Sequence, residues 1–385
     1  MDNPQMKALI GEVFTELADA LETGKLGKRI KVAVTVLGSE LGSDEIIKGA
    51  RLAQSQNPDL EVCLVGPKND SELCTYEADN EEQQHSLMEK LLDEGEIAAC
   101  VTMHYNFPVG VSTVGRVITP GRGKEMILAT TTGTSATDRV EAMVRNAVSG
   151  IATAKAIGIP DPSLGILNVD GSRQVERIMN KLRDNGYKFR WSESVRADGG
   201  AVMRGNDLLL GAPDVMVTDT LTGNLLMKIF SSFSSGGDYE ASGYGYGPGI
   251  GENYKRIILI LSRASGAPVV AAALKYGAEL ARGKIMDQAV SEYNAAKRAG
   301  MFDIFAEMKQ AAAAASGPQV VAPAKKVVTA EITGVDVMQL EEATQKLWSL
   351  GIYAETGMGC TGPVVMVSPE DEERAAEELR KAGYF

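Results

Sequence analysis

Ile30-Lys31-Val32-Ala33-Val34-Thr35-Val36-Leu37 runs directly into Gly38-Ser39-Glu40-Leu41-Gly42-Ser43-Asp44-Glu45. The first eight residues are apolar, largely β-branched and carry one charge, the pattern of a strand buried on both faces. Two glycines then permit a tight turn, and Ser43 or Asp44 offers the side-chain oxygen that caps a helix start, here a helix over 46–54. Buried strand, glycine turn and helix make half of a βαβ unit.

The same punctuation recurs along the chain. Strands are predicted at 60–65, 98–103, 126–130, 164–169, 215–218 and 257–261, with helices at 86–94, 136–156, 175–185, 221–230 and 268–282. Over 136–156, Val140, Met143, Val144, Ala147, Val148 and Ile151 fall on one helical face. Ile10, Val13, Phe14, Leu17 and Leu21 mark a further helix over 7–21. The acidic stretch 69–84 and the segment with Pro108 and Gly110 read as loops. Alternating strands and helices predict an α/β fold whose parallel sheet is covered on both faces. This main domain is expected over 1–318, ending in Ala311–Ala315 and Ser316-Gly317-Pro318. A Pro/Ala linker over 319–326 leads to a βαββα unit over 327–385: strand 327–333, helix 336–350, strand 352–356, a glycine loop, strand 364–367 and an acidic helix 369–382.

Composition narrows the function. Of 385 residues, 44% are hydrophobic and 23% charged, which suits a globular chain with a buried core. The net charge of −12 argues against nucleic acid or an anionic membrane as partner. No run reaches the roughly 18 apolar residues of a membrane span; the greasiest, 257–273, is broken by Arg263. Met1-Asp2-Asn3-Pro4 is no secretory signal, so a cytoplasmic location is expected. The four cysteines form no C-x-x-C pair and are expected as reduced thiols. With two histidines, His85 and His104, a zinc site is poorly supplied, and no metal or cofactor is expected.

Nucleotide signatures are absent. No G-x-x-x-x-G-K-[ST] occurs, and Gly243-Tyr244-Gly245-Tyr246-Gly247-Pro248-Gly249-Ile250-Gly251 never satisfies G-x-G-x-x-G. That run reads as a surface loop or a lid. Gly357-Met358-Gly359-Cys360-Thr361-Gly362-Pro363 is the sharpest motif. Its glycines bring backbone N–H groups close to a bound group, which suits a nucleophilic thiolate at Cys360; a small residue in a tight hairpin is the other reading. Three strand-to-helix turns suit an anion: 219–224 with Asn224 and the following Lys228, 262–266 with Ser262, Arg263 and Ser265, and 131–135. Each alone is also an ordinary helix cap; convergence on one sheet edge would make a site.

These residues carry a resemblance. Val217-Thr218-Asp219-Thr220-Leu221-Thr222-Gly223-Asn224-Leu225-Leu226-Met227-Lys228 resembles a segment of the phosphate acyltransferase of bacterial phospholipid synthesis, as do 164–169 and 36–49. Ser262-Arg263-Ala264-Ser265 is similar to a phosphotransacetylase motif, with Val269 where that family has an acid. The whole chain, cysteine motif included, is similar to the alpha subunits of component C of the glycine/sarcosine/betaine reductase complex. The resemblance implies an isocitrate/isopropylmalate-dehydrogenase-like, phosphate acyltransferase-like α/β domain and a catalytic Cys360. It further implies transfer of acetyl from a thioester through Cys360 to inorganic phosphate, with no ATP. Phosphate would sit at Asn224, Lys228, Ser262, Arg263 and Ser265, and the N–H groups around Gly357, Gly359 and Gly362 would stabilise the oxyanion. The implied partners are a ketoacyl-synthase-like beta subunit and selenoprotein A of the complex. A non-catalytic scaffold and a free-standing acyltransferase are the alternatives.

Overall fold

The computed structural model describes residues 29–196, 199–315, 320–335, 339–359 and 362–384, with Gly11, Val13–Thr15, Leu17, Ala18 and Leu21 near the N-terminus. Those few N-terminal residues are helical and exposed, as the 7–21 pattern predicts; Ile10 lies outside the described residues. The chain divides into two compact units, Met1–Ile304 and Phe305–Phe385.

In chain order the first unit contains β1 (Ile30–Thr35), α1 (Ser43–Gln56), β2 (Leu60–Gly66), β3 (Cys74–Glu77), α2 (Glu81–Asp93), β4 (Ala99–Thr102), β5 (Val111–Ile118) and β6 (Glu125–Thr134). There follow α3 (Arg139–Ala156), β7 (Ser163–Leu167), α4 (Ser172–Asp184), β8 (Arg190–Trp191), β9 (Val202–Met203), α5 (Gly205–Leu210), β10 (Val215–Val217) and α6 (Thr220–Ser232). A short 3₁₀ turn, β11 (Gly247–Ile250), β12 (Ile258–Ile260), α7 (Ala267–Arg282) and α8 (Ile285–Arg298) come next, and α9 (Met301–Ala315) runs across the boundary between the units.

The strands form one sheet in the order β3-β2-β1-β4-β12-β11-β5-β6-β10-β7-β8, with β9 also beside β7. It is an α/β fold, and most neighbours are parallel. The quoted strand sits centrally, paired with β2 and β4, and Val32, Ala33 and Val34 are fully buried. Gly49 of α1 lies where any β-carbon would strike Val270, so α1 and α7 lie side by side on one face. On α3, Gly150 makes the equivalent close approach to Val215 of β10.

The sheet departs from the purely parallel expectation at β5 and β11, which run antiparallel to their neighbours. The run 243–250 is neither lid nor surface loop: it is buried, and 247–250 forms a strand between β12 and β5. Glycine makes this strand. Gly247, at φ 84°, passes so close to the Val114 carbonyl that a side chain has no room. The stretch read as an acidic loop supplies β3 at the sheet edge and the first turn of α2, capped by Asn80 accepting from the Gln83 N–H. The hydroxyl-rich turn 131–135 proves to be the end of β6, after a register shift opposite Thr113 and Val114.

The second unit holds β13 (Ala330–Ile332), α10 (Leu340–Ser349), β14 (Ala354–Gly359), β15 (Gly362–Val367) and α11 (Glu372–Lys381), the βαββα order read from the sequence. Its antiparallel sheet has the order β13-β15-β14. Ile332, Ala343, Leu347, Ile352, Ala354, Val365, Val367, Ala375 and Leu379 make its own core.

The most demanding contact in the first unit is Gly223 of α6, whose Cα faces the Thr130 carbonyl of β6 with no space for a β-carbon. Gly223→Ala is expected to push α6 off the sheet at a cost of about 2 kcal/mol or more, lowering the thermal midpoint by several degrees. Differential scanning calorimetry checks this; an unchanged midpoint would contradict the packing.

Candidate functional site

The segments that follow β12 and β10 meet the last residues of β6 on the first unit. β12 leads into Leu261-Ser262-Arg263-Ala264-Ser265, and α7 starts immediately after with Pro268 in its first turn. The turn is held from three sides: the Glu40 N–H donates to the Arg263 carbonyl (2.8 Å), the Ala264 N–H to Ser262 Oγ (3.2 Å), and the Ala267 N–H to Glu45 Oε1 (2.9 Å). β10 leads into α6, capped by Asp219, which accepts from the Thr222 N–H (3.1 Å) and hydroxyl (2.7 Å). Burial pushes the Asp219 carboxyl up, but the Thr222 donors and the Arg139 guanidinium more than offset it, leaving it below the ordinary aspartate range. One turn on, Asn224 donates to the Thr131 carbonyl of β6 (3.0 Å).

Between these segments lies a cavity of about 310 Å³ lined by Thr132, Asn224, Lys228, Tyr246, Ser262 and Arg263, with Glu40 at its edge. Four of the five residues read as phosphate-binding therefore share one cavity. The fifth, Ser265, is buried behind it and donates to Glu240 Oε2 (3.1 Å). Neither Lys228 nor Arg263 is ion-paired to a carboxylate among the described residues, so two cationic groups stand at a cavity with room for an anion. The Lys228 ammonium lies 5.9 Å from the centre of the Tyr246 ring. A second cavity, of about 290 Å³, shares Thr132 and Ile260 with the first and is lined by Met103, His104, Tyr105 and Phe107. Tyr105, Phe107 and Tyr254 pack edge to face beside it. His85 stands nearby, its imidazole held below the ordinary range by burial and by His104.

Sequence reasoning missed Glu240. It is 4% exposed, and its carboxylate accepts from Ser265 and from the Tyr246 hydroxyl (3.3 Å). Burial raises its pKa, against the opposing pull of Ser265, Ser262, Lys228 and Tyr246. The one sequence cue was an acid closing a serine-rich segment, Ser234-Ser235-Gly236-Gly237-Asp238-Tyr239-Glu240, which also describes many surface loops.

In the second unit, β14 and β15 pair through Gly357↔Val364, Met358↔Pro363 and Gly359↔Gly362. Gly357, Gly359 and Gly362 thus stand in paired strands, a narrower turn than the loop expected. Cys360 lies outside the described residues. Cys63 and Cys100 are buried in β2 and β4, where burial keeps their thiols protonated. Cys74, exposed, is the register partner of Cys63.

With this geometry in view, the chain belongs to the family described as fatty acid synthesis protein, which matches residues 30–366. It is similar to the glycine/sarcosine/betaine reductase complex component C subunit alpha of Peptoclostridium acidaminophilum, 57% identical over 379 residues and 98% of each chain. The phosphate acyltransferase of Thermotoga petrophila is 28% identical over 237 residues, 52% of this chain and 67% of that protein. Among solved structures, a branched-chain phosphotransacylase from Enterococcus faecalis aligns with 66% of this chain and 99% of its own at 14% identity and a TM-score of 0.46. No helix among the described residues is long and apolar enough to cross a membrane.

Glu240 has a raised pKa in the folded chain, so its contribution to stability is present at low pH and is lost as pH rises through that folded value. Glu240→Gln keeps the acceptor oxygen and removes the titration. The variant should match the wild type near pH 4 and become progressively more stable than it towards pH 8. Chemical denaturation at several pH values measures the difference; a constant or shrinking gap would mean that the carboxylate is not desolvated.

Proposed function

We propose that this chain transfers an acetyl group from a thioester to inorganic phosphate, giving acetyl phosphate, and that it does so as the alpha subunit of a component C. The observation that carries the reading is the gathering of Asn224, Lys228, Ser262 and Arg263 around one cavity of the first unit. Two cations and two neutral donors suit a phosphate dianion, which needs charge neutralisation and directed hydrogen bonds at once. The phosphate acyltransferase relatives and the alpha subunit named above support an acyl-transfer chemistry.

In the proposed reaction, the Cys360 thiolate takes the acetyl group by thiol exchange from a thioester delivered by a ketoacyl-synthase-like beta subunit. A phosphate oxygen then attacks the acetyl carbonyl carbon, the tetrahedral oxyanion collapses, and the C–S bond breaks with the electron pair returning to sulfur. Thioester and acyl phosphate are both activated acyl groups, so no nucleotide is consumed. Lys228 and Arg263 orient the nucleophilic phosphate, while Glu240 fixes the Ser265 and Tyr246 hydroxyls behind them.

Supplying an acetyl thioester and phosphate to the protein with its partner subunit should yield acetyl phosphate, detected as the hydroxamate. Cys360→Ser should reduce the yield at least 100-fold, and Lys228→Gln or Arg263→Gln should raise KM for phosphate about tenfold with a smaller effect on kcat. Full turnover by Cys360→Ser would remove the cysteine from the mechanism. An inactive wild-type protein, alone and with its partner, would favour a scaffold role.

A further inference from the structure

Cys63 lies in the middle of β2, and Cys74 opens β3, the parallel strand at the end of the sheet order. The two are direct register partners. Neighbouring strands run about 4.8 Å apart, and partner side chains in a parallel pair leave the sheet on the same face. A disulfide requires α-carbons about 4.4–6.8 Å apart, so this pair stands at bonding separation with both thiols free. Cys100 is the contrast. Ala33 of β1 separates it from Cys63 in the same row, which doubles the spacing to about 10 Å and puts a bond out of reach.

The partners differ as a reactive thiol and a resolving thiol differ. Cys63 is fully buried among Val65, Met88 and Leu91, and burial, with the Cys74 sulfur beside it, holds its thiol protonated. Cys74 is exposed at the sheet edge, where an oxidant in solution reaches it. On the same face the Lys31 ammonium interacts with both sulfurs and favours a thiolate, while Glu61, 3.7 Å from Lys31, and Tyr76 act the other way. The connection 67–73 keeps Cys74 opposite Cys63, because Arg51 donates to the Asp70 and Ser71 carbonyls (both 3.2 Å). β3 ends the sheet order, so it adjusts to a new bond without disturbing the other strands.

We propose that Cys74 and Cys63 form an oxidative modification site that closes to a disulfide in response to a peroxide. The Cys74 thiolate attacks one peroxide oxygen, the O–O bond breaks, and the departing hydroxide is protonated to water, leaving Cys74 as a sulfenic acid. The Cys63 sulfur then attacks the Cys74 sulfur; the S–O bond breaks, and the hydroxide leaves with the Cys63 proton as water. Two thiols are oxidised, one peroxide is reduced, and β3 becomes stapled to β2. This chemistry goes beyond the acetyl-transfer reading and does not rest on it. Treating the full chain with stoichiometric hydrogen peroxide, blocking the remaining thiols and digesting with trypsin tests it. Cleavage at Arg51, Lys68 and Lys90 places the two cysteines in separate peptides, 52–68 and 69–90. Mass spectrometry should find these peptides joined, lighter by two hydrogen atoms and separated by a reductant. Cys74→Ser, a change at an exposed position, should leave peptide 52–68 unlinked and its thiol unoxidised. In Cys63→Ala the sulfenic acid has no partner, so dimedone should capture Cys74 about tenfold more than in the wild type. Peptides 52–68 and 69–90 that stay unlinked in the wild type, or equal dimedone capture in both proteins, would overturn the proposal.

Discussion

The absence of one side chain sets how α6 meets the sheet beside the first cavity. At Gly223 the backbone of α6 comes down onto the Thr130 carbonyl, and the next residue, Asn224, clasps the Thr131 carbonyl. Helix and strand are thereby fixed at a separation that no other residue type allows. From that depth Lys228, one turn further along, reaches the cavity bounded by Ser262 and Arg263. Asp219 holds the same helix at its first turn, and Arg139 joins that cap to the turn after β7.

Electrostatics there are arranged in layers. Cationic groups line the first cavity together with Glu40, and a second carboxylate, Glu240, is buried against the Ser265 and Tyr246 hydroxyls. Desolvation works against its ionisation while the donors around it work the other way. His85, half-buried beside the neighbouring cavity and next to His104, adds a group whose charged form is disfavoured.

The fold was legible in the sequence wherever strands are apolar and helices amphipathic. β1, β2, β4, β7, β10 and β12 were found because burial on both faces of a parallel strand leaves a continuous greasy run. β11 was not: Gly247-Pro248-Gly249-Ile250 has the local preferences of a turn, and only pairing with β12 and β5 makes it a strand. β5 escaped because Ser112, Thr113, Gly115 and Arg116 interrupt its apolar residues. For the cavity, turn chemistry named Asn224, Lys228, Ser262 and Arg263 individually, yet their convergence is a product of strand order. Glu240 was invisible for the same reason: Val269 occupies the helix position where an acid was sought, whereas the acid that meets Ser265 arrives from the loop after α6.

The strand order also governs how the chain is assembled. β4 ends at Thr102, but its second neighbour, β12, begins at Ile258, and β11 joins β12 to β5 only when both exist. During synthesis the first four strands therefore present an unsatisfied hydrogen-bonding edge until more than half of the polypeptide has left the ribosome. Long-range pairing of this kind is slow and leaves the nascent protein open to intermolecular strand addition. β12, the last strand of this sheet to be synthesised, is thus the one that closes the gap, and productive yield in a foreign host should depend on chaperones that shield that edge.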